Sequence, residues 1–131
     1  MKRFDVTALG EILIDFTPAG KSKNGRTLFE ENPGGAPANA AAAAAKLGAR
    51  AAFIGKTGDD QFGRDAKAAL ENCGVYTGAM KTDKRHTTLA FVTLAHSGER
   101  AFSFARSDGA DINLSADDID EKLINESTFL H

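Results

Sequence analysis

Apolar and polar positions along the chain fall into short continuous apolar runs separated by polar turns and by two stretches of helical period. Residues 4–9 read as a buried first strand closed by Gly10. Ile12, Leu13 and Ile14, running on to Asp15 and Phe16, predict a second extended piece ended by Pro18 and Gly20. A polar loop over 21–26, with Asn24-Gly25 as its turn, leads to residues 27–32, which predict a strand pairing back with 12–16. Ala40 to Ala45, a run of the best helix former, predicts a helix with Pro37 in its first turn, Leu47 as an apolar anchor and Gly48 as a left-handed stop. Ala51, Ala52, Phe53 and Ile54 form a run of the kind expected for a parallel strand covered on both faces.

The turn over 55–60 offers Asp59 or Asp60 as a cap for a helix that places Phe62, Ala66, Ala69, Leu70 and Cys73 on one face and stops at Gly74. Residues 75–83 are turn-rich and allow an edge strand. Two apolar runs, 88–94 and 101–105, flank His96-Ser97-Gly98-Glu99 and predict a hairpin. Ser115 begins a capped helix with Asp117 and Asp118 in its first turn, and Ser127 starts a further strand. The β-α alternation predicts an α/β fold, a doubly wound parallel sheet with helices on both faces, and the extra hairpins predict a small antiparallel sheet beside it. No repeat or interdomain linker breaks the chain.

Composition changes this picture little. A hydrophobic fraction of 42% and a charged fraction of 26% are those of an ordinary globular domain, and 131 residues suffice for one. A formal charge of −2 gives no electrostatic reason to expect nucleic acid or an anionic membrane. The single cysteine, Cys73, excludes an intramolecular disulfide and fits a reducing cytoplasm; it reads as a core residue of its helix face. The N-terminus has no signal-peptide pattern, and the alanine run is far shorter than the ~20 apolar residues that span a bilayer.

Candidate chemistry centres on Asn32-Pro33-Gly34-Gly35-Ala36-Pro37-Ala38-Asn39, a glycine turn opening a helix. Gly34 and Gly35 permit close backbone approach, and the helix start offers free N–H groups to an oxygen-rich ligand, with the Asn39 amide beside them. Any βα turn can be glycine-rich, so the turn alone leaves both readings open. Other motifs fail. Gly55-Lys56-Thr57 lacks the P-loop's first glycine, since Arg50 stands there and residues 51–54 are a strand. Gly10 is followed by Glu11-Ile12-Leu13 rather than a dinucleotide fingerprint. His86, His96 and His131 have no companions at zinc spacing, and Asp108, Asp111, Asp117, Asp118 and Asp120 lack calcium-loop spacing and read as loop and cap residues. No metal site and no catalytic set is expected in this chain.

Three segments, in order, resemble the PfkB or ribokinase-like carbohydrate kinases. They are Gly10-Glu11-Ile12-Leu13-Ile14-Asp15; Gly34 to Asn39 through Leu47-Gly48 to Gly55-Lys56-Thr57-Gly58-Asp59-Asp60-Gln61-Phe62-Gly63; and the 88–106 hairpin followed by Gly109-Ala110-Asp111. Gly-Glu-x-x-x-Asp-Phe, Gly-Gly-Ala-Pro-Ala-Asn, Phe-Ile-Gly-Lys and Phe-Ser-Phe-x-Arg look most like fructokinases, with 2-keto-3-deoxygluconate kinases and other ketose kinases close behind. The resemblance implies the N-terminal part of a ribokinase-like domain, with lid strands near 12–17, 27–32, 88–94 and 101–106. It implies that Asp15 accepts hydrogen bonds from sugar hydroxyls, Gly34 and Gly35 cradle the sugar, Asn39 orients it, and Arg106 with Phe104 completes the pocket. On the residues alone Asp15 also fits a turn or cap, Arg106 a surface ion pair and Phe104 the core.

The resemblance further implies a small-molecule sugar as ligand, ATP and Mg2+ as cofactors and a lid that often pairs two subunits, so a homodimer is possible. The family's Gly-Ala-Gly-Asp segment, which carries the catalytic base and anion hole, matches nothing here. The chain is therefore expected to be the sugar-binding and lid half of a longer enzyme, with no catalytic residue of its own and inactive alone. The other expectation is a sugar-binding or dimerising module without catalysis.

Overall fold

The computed structural model describes residues 1–95, 97 and 99–131; two residues of the expected hairpin loop, His96 and Gly98, lie outside the described residues. In chain order the first elements are β1 (Phe4–Leu9), β2 (Leu13–Lys21), β3 (Thr27–Gly34), α1 (Ala36–Lys46), β4 (Ala51–Ile54) and β5 (Lys56–Gly58). They are followed by α2 (Gln61–Asn72), β6 (Lys81–Asp83), β7 (Leu89–Leu94), β8 (Arg100–Ala105), α3 (Glu121–Asn125) and β9 (Ser127–Leu130).

Strands β4, β1 and β9 form a parallel sheet in that order. β4 is buried along its whole length because both faces are covered. Ala51 and Phe53 pack with Ala38, Ala41, Ala66 and Leu70 of α1 and α2. Ala52 and Ile54 pack on the other side with Phe4, Ala79 and Leu123 of α3. The expected doubly wound arrangement is thus present, with helices on both faces. β5 and β6 add a short parallel pair.

The second sheet has the order β3-β2-β7-β8. Two antiparallel hairpins, β2–β3 and β7–β8, lie side by side, but their first strands β2 and β7 run parallel. The sheet is therefore mixed rather than wholly antiparallel. Each hairpin presents its first strand to the other, and Ile14 to Phe16 pair with Leu89 to Phe91 in parallel register. β2 also runs past Pro18, which pairs with Phe29; a bulge between Pro18 and Lys21, with Gly20 at φ 97°, absorbs the residues expected to end it. One face, through Phe16, Phe91 and Phe29, forms an aromatic stack that Phe62 of α2 meets edge-on at 5.7 Å.

The caps follow the sequence at three helix ends. Asp60 accepts from the Gly63 N–H and so caps α2. Gly48 and Gly74, at φ 94° and 86°, end α1 and α2. Two expectations change. Leu47 is 89% exposed and anchors nothing, because α1 buries its Ala38 and Ala41 face instead. The helix expected from Ser115 is split. A 3₁₀ turn over Ala116–Asp118 stops at the extended Ile119, because the Asp118 carboxylate turns back to the Ser115 N–H and hydroxyl and to Lys56. α3 then starts afresh on its own Asp120 cap.

Candidate functional site

The four-stranded sheet and the start of α1 bring most of the singled-out residues into one neighbourhood. Register sets the row Asn32, Asp15, Ala90 and Phe104 across β3, β2, β7 and β8, and directly opposed residues share a face. Two residues further along the strands come Thr17, Val92 and Phe102. On this face a cavity of about 410 Å³ opens, lined by Asp15, Thr17, Asn32, Val92 and Phe102, with Leu94 and Arg100 at its outer end.

Asp15 is half-buried, and its carboxylate has no hydrogen-bond or ion-pair partner among the described residues. It is neither a cap nor a turn residue. Burial first, and then the neighbouring Glu11 charge, raise its pKa above the ordinary aspartate value. An ionised carboxylate lining a cavity can accept hydrogen bonds there.

Gly34 is what gives that carboxylate its place. A Cβ at position 34 would overlap Asp15 Oδ2 and crowd Leu13. Gly35, at φ 105°, opens α1 as its N-cap, and a Cβ there would lie 2.6 Å from the Glu11 carbonyl oxygen. Ala38 and Ala36, in the first turn, therefore start a helix that has no side-chain cap. Asn39 is exposed, its amide without a hydrogen-bond partner among the described residues, and lies with Gly34, Ile12 and Cys73 along a second cavity of about 220 Å³ between α1 and α2. Gly34 thus stands between the two cavities, touching Asp15 on one side and lining the other. Asp15 and Asn39 do not share a single cavity.

Phe104 is 56% exposed and so is not a core residue; it stacks on Phe102 with ring centroids 6.2 Å apart. Phe102, which the sequence did not single out, is the ring that lines the Asp15 cavity. Arg106 lies just past the end of β8, where its guanidinium reaches Glu11 Oε2 at 2.9 Å and Asp111 Oδ2 at 2.7 Å. The Asp111 side chain is almost wholly buried and also accepts from the Thr88 hydroxyl. Arg106 therefore ties the Gly10–Glu11 crossing between the sheets to the 3₁₀ turn Asp111–Asn113, and its Nε is buried with no partner among the described residues.

Thr17 and Glu11 carried no candidate role in the sequence and Asn32 stood only at the head of the glycine stretch; the structure sets Thr17 and Asn32 in the lining of the Asp15 cavity and Glu11 against Arg106. Asn32 had a usable signal, because pairing 27–32 back on 12–16 sets it near Asp15. Glu11 had none, because its meeting with Arg106 is a long-range contact.

Lys56 does not fit a phosphate. It is 8% exposed, and its ammonium is engaged by the Asn113 carbonyl at 3.0 Å and Asp118 at 2.6 Å. Among the described residues no group of three or more His, Cys, Asp or Glu side chains is placed to hold a metal ion. Of the acidic group read as loop and cap residues, Asp120 caps α3 and Asp118 closes the capping box of the Ser115 turn, while Asp111 and Asp118 are also half of tight ion pairs. No helix among the described residues is long and apolar enough to cross a membrane.

Comparison with known proteins adds to this geometry. The profile of the pfkB family carbohydrate kinases matches residues 3–131. Fructokinase-1 of Zea mays is 47% identical over 129 residues, which cover 96% of this chain and 40% of that protein. The crystal structure of a fructokinase from Xylella fastidiosa superposes with a TM-score of 0.90 at 35% identity, over 97% of this chain and 40% of that one. A structure of the Xylella fastidiosa fructokinase with bound ATP gives 0.90 at 34% identity, over 100% and 42%. The chain thus spans about two fifths of the length of the relatives it matches.

Proposed function

The chain belongs to the pfkB family of carbohydrate kinases, and from that premise we propose that the protein phosphorylates a ketohexose, fructose, to fructose 6-phosphate. In this reading residues 1–131 supply the sugar-binding surface and the lid, and the catalytic base and nucleotide site come from other parts of the enzyme. One observation carries it: the unpartnered, half-buried Asp15 carboxylate facing a 410 Å³ cavity, with Gly34 clearing its place. A neutral polyol needs fixed acceptors in a pocket with apolar walls, and Val92 and Phe102 provide such walls. The relatives named fructokinase support the choice of sugar.

ATP is the proposed phosphoryl donor, supported by the related structure that holds it, with Mg2+ as its companion. The residues described here do not fit either group: Lys56 is engaged in ion pairs and no acidic cluster is placed for a cation. What this chain does is bind, orient and exclude water. A lid over the sugar limits loss of the phosphoryl group to water.

The lid's cavity face also exposes Leu28, Leu94, Phe102 and Phe104, at 46–59%. A second copy of the protein covering that face as a homodimer is the proposed partner, and the cytoplasm, in keeping with the lone Cys73, the proposed location.

The test is calorimetric titration and coupled ADP release with a sugar panel, on the complete protein in which this chain occurs. D-Fructose is expected to bind and turn over, and Asp15→Ala to weaken its binding about 10²-fold, as loss of hydrogen bonds to a charged acceptor does. Equal binding by the variant would overturn the reading.

A further inference from the structure

We propose that Thr17 and Asn32 form the part of the cavity that selects one ketohexose over its epimers, an inference that rests on the sugar-kinase reading above. The Asn32 amide nitrogen donates to Thr17 Oγ1 at 3.0 Å and to the Glu30 carbonyl at 3.3 Å. The Glu30 carbonyl can only accept, so turning the amide over would set Oδ1 against it, even though the Thr17 hydroxyl could then donate to that oxygen. That fixes Asn32 Oδ1, which has no partner among the described residues, as an acceptor toward the cavity. The Thr17 hydroxyl accepts from the amide and keeps its own proton to donate.

Asp15 and this pair do different work. Asp15 stands directly opposite Asn32 in the hairpin, but its carboxylate has no hydrogen-bond partner among the described residues. It accepts from hydroxyls over a range of directions and so binds polyols with little preference among them. The pinned amide oxygen and hydroxyl accept and donate along fixed directions. A sugar inverted at the hydroxyl they meet turns a C–H toward them and leaves two polar groups unpaired in a cavity backed by buried Val92 and by Phe102. A site built to hydrogen-bond a hydroxyl rejects a ligand that lacks it there far more strongly than an apolar pocket does.

The experiment is calorimetry on the complete protein with D-fructose, D-tagatose, D-psicose and L-sorbose, for wild type, Asn32→Ala, Thr17→Val and Asp15→Ala. Thr17→Val keeps the side-chain shape and carries the test if Asn32→Ala fails to fold. Asn32→Ala and Thr17→Val are expected to weaken the preferred sugar about 10-fold and to compress the spread among the four sugars to about 3-fold or less. Asp15→Ala is expected to weaken all four alike. If Asp15→Ala loses binding while folded Asn32→Ala and Thr17→Val keep the wild-type ranking, this inference falls and the sugar-kinase reading stands. If no ketohexose binds wild type, both fall.

Discussion

In the proposed reading, Asp15 sets a conflict between stability and binding that a single substitution separates. Its pKa is raised in the fold, by burial and then by Glu11, so the ionised form is disfavoured by folding. The sign follows: stability is lost as pH rises through the raised value and regained as pH falls toward the unfolded value. Sugar affinity runs the other way, because only the carboxylate accepts two hydroxyls, and it is expected to fall at a higher pH than an ordinary aspartate would dictate. Asp15→Asn is therefore expected to raise Tm at neutral pH while weakening sugar binding, checked by calorimetric melting and titration of one preparation; a lowered Tm would count against an uncompensated charge at this position. Gly34→Ala puts a methyl group where the carboxylate sits. It is expected to displace Asp15 and weaken sugar binding about 10-fold or more, while circular dichroism stays unchanged.

At the scale of elements, helix starts and crossings hold the site. Asp60 caps α2 and accepts from the Thr87 N–H and hydroxyl, locking the helix to the segment that enters β7. Burial pushes its pKa up, but the hydrogen bonds from Thr87 and Gly63 outweigh it and leave the pKa lowered. Its contribution is present above the unfolded value and lost as pH falls through the lowered one. Asp60→Ala is expected to cost about 1–2 kcal/mol in urea unfolding at neutral pH, the usual range for a lost cap, and less in acid. Arg106→Ala leaves the buried Asp111 carboxylate with Thr88 as its one partner among the described residues. Breaking such a pair costs about 3 kcal/mol, the low end of the range because Arg106 is part-exposed; a loss under about 1 kcal/mol would mean that the tie between the two sheets is ornamental.

These elements also mark how far the sequence could be read. Strand and helix periods, the glycine stops at Gly48 and Gly74 and the Asp60 cap are local signals, and each is visible within a few residues. The family resemblance pointed to Asp15 and Gly34 separately but not to their contact, while the Asn32–Asp15 pairing was accessible through hairpin register. The parallel meeting of β2 and β7 and the Glu11–Arg106–Asp111 tie join residues far apart in the chain, and no local pattern encodes them. Leu47 misled because an apolar residue at a helix end need not face the core.

For the whole molecule, the parallel sheet and its helices form a base from which the mixed sheet extends, with an open apolar-rimmed face. Leu28, Leu94, Phe102 and Phe104 expose apolar side chains on that face, which in the proposed homodimer a second copy would cover. Sedimentation velocity is expected to show a dimer that Leu28→Glu converts to monomer; an unchanged dimer would place the interface elsewhere. The most direct measurement of the central claim remains titration of the complete protein with D-fructose, for wild type and Asp15→Asn. Saturable binding by wild type, weakened about 10²-fold in a variant that melts no lower, is the predicted result. Equal affinity in the two proteins would contradict it.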